Sequence, residues 1–297
     1  MSNKSTEAAP ASTKEVAKVE PVQTGLPSVV DYGEDAGLGY ENQSSNDYSL
    51  PFISLLQANS PQVEAEDSTV RSGMLFNTVT EEVYSGKTGL EFIPAVTEHA
   101  FVEWVPRNSG GGFVAKHDEN SPMVNKAKET SKAYGKLVTP TGNDLVETFY
   151  VYGVIVDEDG IPGQMALIGF TSKKIKVYKN FNTKLNMFAH KKWGIPNKPP
   201  LFSHRVRLSS VKDKNKKGEF YNFVLEHAES DLKKDGKLIP AIYRSMMTPD
   251  DPRYQAAKRC KIRVEGGLAK AAYETATATE GEGAEETIDV SSSASPF

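Results

Sequence analysis

The sequence has little cysteine, no long apolar run and no secretory leader pattern. Its single cysteine, Cys260, excludes a disulfide bond within the chain and favours a reducing compartment. No stretch approaches the roughly 20 consecutive apolar residues that a membrane-spanning helix needs. The first residues, MSNKSTEAAPAS, lack the apolar core of a signal peptide. These absences predict a soluble protein of the cytoplasm without a membrane partner.

The chain also lacks the residue patterns of catalytic and cofactor sites. The five histidines and Cys260 do not fall at zinc-finger spacing. Gly86-Lys87-Thr88 matches only the second half of a phosphate-binding loop, because Glu81 stands where the first glycine belongs. The adjacent acids Asp157, Glu158 and Asp159 precede Gly160, which indicates a solvated turn. The sequence therefore predicts no enzymatic activity, no metal and no cofactor.

Order is expected only in the middle of the 297-residue chain. Residues 1–49 are rich in Ser, Ala, Asn and Glu without hydrophobic periodicity, and residues 271–297 are mostly Ala, Thr, Gly, Glu and Ser. Neither segment carries enough apolar surface to offset the conformational entropy of folding. The sequence thus predicts a disordered N-terminal segment, one domain at residues 50–270 and a disordered acidic C-terminal tail.

Hydrophobic patterns in the middle region predict mainly β-structure with added helices. Residues 145–156 form a nearly continuous apolar run typical of a central strand, and residues 163–170 are its expected hairpin partner. Residues 202–210 alternate as a strand does, with Arg205 and Arg207 on the outward face. Residues 50–57 favour a short apolar helix or docking segment. The order of elements favours an antiparallel β-barrel.

Residues 171–193 predict a basic amphipathic helix inserted among the strands. Ile175, Tyr178 and Leu185 follow the three-four spacing of an apolar helix face, and lysines occupy most other positions. Thr171 or Ser172 can cap its start.

The charge of the chain reverses towards its C-terminal end. Residues 169–222 hold fourteen Lys or Arg against two acids, with aromatic residues interleaved, whereas residues 271–297 hold six acids and no base. The formal net charge of -4 hides this contrast. Basic side chains attract phosphates of any sequence, and exposed rings stack on unpaired bases, which a duplex hides. The pattern therefore predicts a face that binds single-stranded nucleic acid.

The candidate contact residues are cations and rings, most of them from this basic block. Arg205 and Arg207 are strong candidates because both lie on one face of one strand. Trp104, Trp193 and Tyr221 are the candidate stacking rings. The full set is Trp104, Arg107, Lys173, Lys174, Lys176, Lys179, Lys191, Lys192, Trp193, Arg205, Arg207, Lys212, Lys214, Lys216, Lys217 and Tyr221.

Two features of the sequence resemble known single-stranded DNA-binding proteins. The acidic ending with Pro296-Phe297 resembles the tails of replicative single-stranded DNA-binding proteins of bacteria and phages. Residues 50–61, 101–112 and 202–225 are similar to phage-encoded proteins of this kind with an OB fold. The resemblance implies an OB-like barrel crossed by single-stranded DNA and a tail that competes for the DNA-binding face. It also implies that the tail recruits replication or recombination proteins, through Glu285, Glu286, Asp289, Pro296 and Phe297.

Other functions remain open at this stage. A strand-annealing recombinase would share the basic groove, and a virion or scaffold protein would ignore oligonucleotides. The sequence does not separate DNA from RNA, and a homodimer or a higher oligomer is left open. If a phage encodes the chain, the host-cell cytoplasm is its expected location.

Overall fold

A computed structural model describes residues 33–36, 38–40, 48–66, 68–131, 137–215 and 218–271. The chain divides into two units, Met1–Gln43 and Ser44–Phe297. In the first unit the described residues include the 3-10 helix Gly33–Asp35. Most of the two segments predicted to be disordered lies outside the described residues.

The second unit is built from short and long strands with a few helices. Its strands are β1 (Ser49–Leu50), β2 (Ile53–Leu55), β3 (Leu75–Asn77), β4 (Val83–Tyr84), β5 (Leu90–Trp104), β6 (Phe113–His117), β7 (Leu137–Val138), β8 (Asp144–Val156), β9 (Pro162–Thr171), β10 (Val206–Asn215), β11 (Gly218–His227), β12 (Leu232–Lys234), β13 (Lys237–Ile239) and β14 (Lys270–Ala271). Its α-helices are α1 (Pro61–Glu64), α2 (Pro122–Thr130), α3 (Lys173–Met187), α4 (Ala241–Arg244) and α5 (Pro252–Glu265). Three 3-10 helices span Arg107–Ser109, His190–Trp193 and Leu201–Ser203.

A seven-stranded antiparallel sheet organises the unit. Its path runs β11-β10-β5-β8-β7, with β6 also paired to β5 and β9 also paired to β8. The predicted central strand and its hairpin partner are confirmed as β8 and β9. Only glycine fits at position 153 of β8, because a Cβ added to Gly153 would lie 2.2 Å from the carbonyl oxygen of Ile93 on β5.

The predicted mainly β class is confirmed, but the sheet is open. Within the described residues, β11 and β7 stand at the two ends of the strand path and do not pair with each other. The OB-like closed barrel expected from the sequence is therefore not formed by these strands. The separate sheets β2-β3-β4, β12-β13 and β1-β14 complete the β-structure.

The sheet is covered on both faces. On one face, Tyr178 and Phe181 of α3 and Leu75 of β3 pack into the main core with Phe92 and Phe170. On the other face, α5 packs Ala257 and Cys260 against Ile93 and Val154. Burial raises the pKa of the Cys260 thiol to about 12, so this cysteine is a neutral core group. Because α3 packs on the sheet through the side that carries Tyr178 and Phe181, the opposite side of this helix remains available to a ligand.

Three predicted elements differ from those observed. Residues 50–57 form β1 and β2 rather than a helix, because β2 pairs with β3 far along the chain. The basic helix ends at Met187, since Phe188 takes an extended conformation and the chain then makes a 3-10 turn. The strand expected from residue 202 begins at Val206, because Leu201–Ser203 is a 3-10 helix. No helix in the described parts of the chain combines the length and apolarity that crossing a membrane requires.

Candidate nucleic-acid interface

Helix α3 is held to the sheet by one apolar face. Ile175 and Tyr178 are buried and Leu185 packs partly buried against the core, as the sequence pattern predicted, and Phe181 is buried with them. Ser172, one of the two predicted capping residues, occupies the N-cap position with a φ of 48°, and its side chain makes no capping hydrogen bond. The apolar face fixes the rotation of α3 and turns Lys176 and Lys179 towards solvent.

The first lysines of α3 contact aromatic rings of β11. The Nζ of Lys173 lies 4.5 Å from the ring centre of Phe220, and that of Lys174 lies 4.9 Å from the ring centre of Phe223. Cation–π contacts of this kind add roughly 0.5–1 kcal/mol at exposed sites. These two lysines therefore help to hold α3 against the β10–β11 hairpin, a role additional to the predicted one.

The lysines further along form an exposed row, which we call the basic surface. It consists of Lys176 and Lys179 on α3 and of Lys191 and Lys192 on the 3-10 helix that follows. All four are exposed, and none forms an ion pair with an acid among the described residues. The Nζ of Lys179 also lies 5.0 Å from the ring centre of Phe149. Four of the predicted cations are therefore exposed on two elements that follow one another in the chain.

Trp193 ends the same 3-10 helix and is half-buried. Its ring centre lies 4.9 Å from that of Tyr243 on α4, with 30° between the ring planes. Tyr243 is 37% exposed, so this pair of rings reaches the surface directly after Lys191 and Lys192. Tyr243 was not predicted, because nothing local in the sequence shows that α4 folds against residue 193.

The lysines of the β10–β11 hairpin differ in their environments. Lys212 pairs with Glu219 across the hairpin, and the hydrogen bond and charge of that carboxylate raise the pKa of Lys212. Lys214 is exposed. Lys216 and Lys217, which were also predicted, lie outside the described residues.

Two predicted stacking rings belong to the interior. Trp104 is 8% exposed and packs edge-on against Phe113 at a centroid distance of 5.8 Å, so its predicted stacking role is wrong. Tyr221 is half-buried at the border of the main core, and its backbone N–H donates to Oε1 of Gln57 at 2.8 Å. Its ring leaves no room for a Cβ at Gly73, which has a φ of 88°.

The remaining predicted contacts lie outside the described structure. Arg107 starts a 3-10 helix, but its side chain is not among those described. The predicted partner-binding residues of the tail also fall outside the described residues; these are Glu285, Glu286, Asp289, Pro296 and Phe297.

Arg205 and Arg207 lie on the face of the strand opposite to the buried Val206 and Leu208, as predicted, and both guanidinium groups are hydrogen-bonded within the protein. The guanidinium of Arg205 donates to Oε1 of Glu91 at 3.1 Å and to Oε1 of Glu229 at 3.0 Å, and its side chain is 13% exposed. Arg207 donates to the carbonyl oxygens of Thr88 at 3.2 Å and Ala228 at 3.4 Å. Glu91 lies on β5 beside β10, a pairing that alternation along β10 alone does not reveal.

Replacing Arg205 should therefore reduce stability rather than DNA affinity. Arg205→Met removes the cation shared by Glu91 and Glu229 and should lower the free energy of unfolding by about 2 kcal/mol, less than for a fully buried pair. Urea denaturation measures this change, and Arg259→Met on α5 is a matched control at an exposed position. A loss of oligonucleotide affinity with unchanged stability would restore Arg205 to the binding face.

A pocket that the sequence did not predict lies at the end of α3. Its volume is about 260 Å³, and it is lined by Thr97, Asn182, Leu185, Asn186, Phe188, His190, Lys198, Pro199, Leu201 and His204. A larger open groove of about 710 Å³ shares Lys198 and Pro199 with it and also includes Tyr243. The three prolines around Lys198 therefore separate two depressions that both lie next to the basic surface.

His204 is the most buried titratable group of the pocket. It is 4% exposed, and its Nδ1 has no hydrogen-bond partner in the part of the chain that the structure describes. Desolvation, together with the nearby imidazole of His227, lowers the pKa of His204 to about 4. The sequence showed only a histidine on the apolar side of a strand, which is more often a core residue.

Acidification should destabilise the fold through His204. Its pKa rises from about 4 in the folded chain to about 6.5 on unfolding, so the unfolded chain binds the proton more readily between these values. The stability is fully present above pH 6.5 and lost as the pH falls towards 4, by about 3 kcal/mol. Urea denaturation across this range should show a shallower pH dependence for His204→Asn. Equal dependence in both proteins would contradict the assignment.

Carboxylates concentrate at another end of the sheet. His99 contacts Glu119 and Glu147 at 3.1 Å each, and Nε2 of His117 lies 2.7 Å from Oε2 of Glu103. Within the described ranges, no group of three or more His, Cys, Asp or Glu side chains has an arrangement that could hold a metal ion.

One protein family has a model that matches most of the chain. The family model described as Pam3 phage gp34-like protein matches residues 17–270, which include the large sheet, α3 and Trp193. No curated protein matches the chain. No solved structure matches it either.

Proposed function

The chain belongs to the Pam3 phage gp34-like protein family, and we propose that it is a phage single-stranded DNA-binding protein that works by binding alone. Its place of action would be the host-cell cytoplasm. The strand would follow the basic surface along α3 and turn onto the Trp193–Tyr243 pair. The proposed DNA-binding surface therefore lies on α3 and the 3-10 helix that follows it, whereas the sequence predicted a surface on an OB-like barrel.

The observation that carries this proposal is the row of exposed lysines that ends at two surface rings. Lys176, Lys179, Lys191 and Lys192 are exposed and have no carboxylate partner among the described residues. An unneutralised row of ammonium groups attracts a phosphate backbone and releases its counterions. A protein that used these lysines only for solubility would need no exposed rings beside them.

The rings favour a single strand over a duplex. Base–aromatic stacking contributes roughly 1–3 kcal/mol per base and requires a base face that is not already stacked in a double helix. Trp193 and Tyr243 sit at the end of the lysine row, where the bases of a bound strand can reach them. Duplex DNA would meet the lysines but not the rings.

Fluorescence anisotropy with labelled oligonucleotides tests the proposal. Oligo-dT of about 30 nucleotides, longer than the roughly 4–16 that one OB fold covers, should bind about tenfold more tightly than a duplex of equal length, because only the single strand gains stacking. RNA of the same length measures the preference between nucleic acids. Equal affinity for duplex and single strand would contradict the proposal, and absence of binding to all three would favour a virion or scaffold role.

The same samples distinguish a protein that only binds single strands from one that also anneals complementary strands. Light scattering with and without DNA measures the oligomeric state, and mixing complementary strands measures pairing. Ring formation with accelerated pairing would reassign the protein to annealing.

We also propose that the acidic tail competes with DNA for the basic surface and recruits replication proteins. Deleting residues 272–297, which keeps β14 intact, removes six acids and should tighten oligo-dT binding about tenfold at low salt, with a smaller effect at high salt. A full-length control with the six acids changed to Gln should behave like the deletion. Unchanged affinity in both variants would exclude competition by the tail.

A further inference from the structure

The pocket at the end of α3 has the composition of a site for a small planar polar group. Leu185, Phe188 and Leu201 provide apolar walls, whereas Asn182 and Asn186 provide amides on successive turns of α3. Its volume of about 260 Å³ lies just below the roughly 300–1,000 Å³ of pockets that hold drug-sized molecules. A single nucleobase is an appropriate ligand for such a space.

Polar groups of the pocket have unused hydrogen-bonding capacity. His204 lines the pocket and is 4% exposed, and its buried Nδ1 has no hydrogen-bond partner among the described residues. The side-chain N–H of Asn182 donates to the hydroxyl of Tyr178 at 2.9 Å, which fixes the amide at the pocket wall. Amide and imidazole groups match the donors and acceptors on the edge of an unpaired base.

The pocket also lies in the path of the proposed strand. His190 lines it and starts the 3-10 helix that carries Lys191, Lys192 and Trp193. Lys198 also lines the pocket, and its Nζ donates to Oδ1 of Asn186 at 2.5 Å. A base inside the pocket would therefore place its own phosphate between cations on two sides.

We propose that this pocket receives one unpaired base of the bound strand, with apolar contacts to its faces and hydrogen bonds from Asn182, Asn186 and His204 to its edge. This inference rests on the proposed single-strand function and adds to it a site for an individual base. The base leaves the stack on the Trp193–Tyr243 side and enters beside His190, so the strand bends at the end of α3.

Filling the pocket from its rim tests the inference. Asn186 is exposed and lines the pocket, so Asn186→Phe should obstruct the pocket while leaving the core intact, as a thermal melt would verify. Met187 is 78% exposed and is not among the lining residues, so Met187→Phe is the matched control. Each variant is titrated with oligo-dT and with an abasic strand of the same length, which keeps the phosphates and lacks the bases.

The expected result is a loss specific to bases. Asn186→Phe should bind oligo-dT about tenfold more weakly, whereas the abasic strand should lose much less, since it has no base to enter the pocket and is affected only through the lost hydrogen bond from Lys198. Met187→Phe should change neither affinity. If Asn186→Phe binds oligo-dT like the wild type, or loses both strands equally, the pocket does not hold a base although the single-strand function stands. Failure of the wild type to bind oligo-dT would instead contradict the proposed function itself.

Discussion

Changing Lys176, Lys179, Lys191 and Lys192 together to Gln should weaken oligo-dT binding on the order of a hundredfold at low salt. The four ammonium groups form the basic surface, and no acid among the described residues neutralises them. Each phosphate contact with single-stranded DNA contributes about 0.7 to the slope of log affinity against log salt concentration, so four lost contacts should reduce that slope by about 3. Stability should change little, because the four side chains are exposed.

A control of equal charge separates a local contact from the net charge of the protein. Lys126 and Lys128 on α2 and Lys258 and Lys261 on α5 can be changed to Gln in the same way. Helix α5 packs on the face of the sheet opposite to α3. Anisotropy titrations at several salt concentrations should leave this control close to the wild type. Equal losses in both quadruple variants would show that binding depends only on net charge.

Trp104→Ala should lower the free energy of unfolding by about 3–5 kcal/mol, the range for removing a large buried ring. Trp104 ends β5 and packs with Phe52, which precedes β2, and with Tyr150 of β8 and Leu167 of β9 in one buried cluster. The truncation leaves a cavity between these strands, and the surrounding backbone cannot collapse into it without disturbing the sheet. Urea denaturation monitored by circular dichroism measures the loss.

Trp193→Ala provides the contrasting result. Its half-buried ring contacts Tyr243 at the surface, so its removal should leave stability nearly unchanged and weaken oligo-dT binding about tenfold through lost stacking. The two tryptophan variants should therefore give opposite results: Trp104→Ala loses stability, whereas Trp193→Ala loses affinity for oligo-dT. A collapse of stability in Trp193→Ala together with wild-type stability in Trp104→Ala would contradict both assignments.

Local patterns predicted the parts of the fold that depend on neighbouring residues. The apolar run of residues 145–156 identified β8, because a strand buried on both faces needs no alternation. The three-four spacing of Ile175, Tyr178 and Leu185 identified the buried face of α3, and hence its exposed lysines. These two predictions succeeded because period and burial are linked within a single element.

Contacts between distant segments were not predictable in the same way. Arg205 looked outward by alternation, but β5 places Glu91 beside it from 114 residues away. Trp104 was predicted to be a stacking ring, but Phe52 and Leu167 of β9 share a buried cluster with it from other parts of the chain. An open sheet in place of a barrel likewise depends on which distant strands pair. Neither alternation nor composition contains this information.

The pocket at the end of α3 was missed for a related reason. Asn182 and Asn186 were recognisable as polar positions on a helix, but His204 and Lys198 reach them only after the chain turns through Pro196, Pro199 and Pro200. The weak local signal was a histidine among apolar residues. Such a residue indicates a site only when its buried polar atom is seen to lack a partner.

The salt dependence of oligo-dT binding tests the central claim most directly. Anisotropy titrations of the full chain at increasing sodium chloride concentration should give a Kd that rises steeply, with a slope of log Kd against log salt of about 3 or more if four or more lysines contact phosphates. The slope should fall by about 3 in the quadruple Gln variant of the basic surface. A Kd that is independent of salt, or a wild type that does not bind oligo-dT at any salt concentration, would contradict the account.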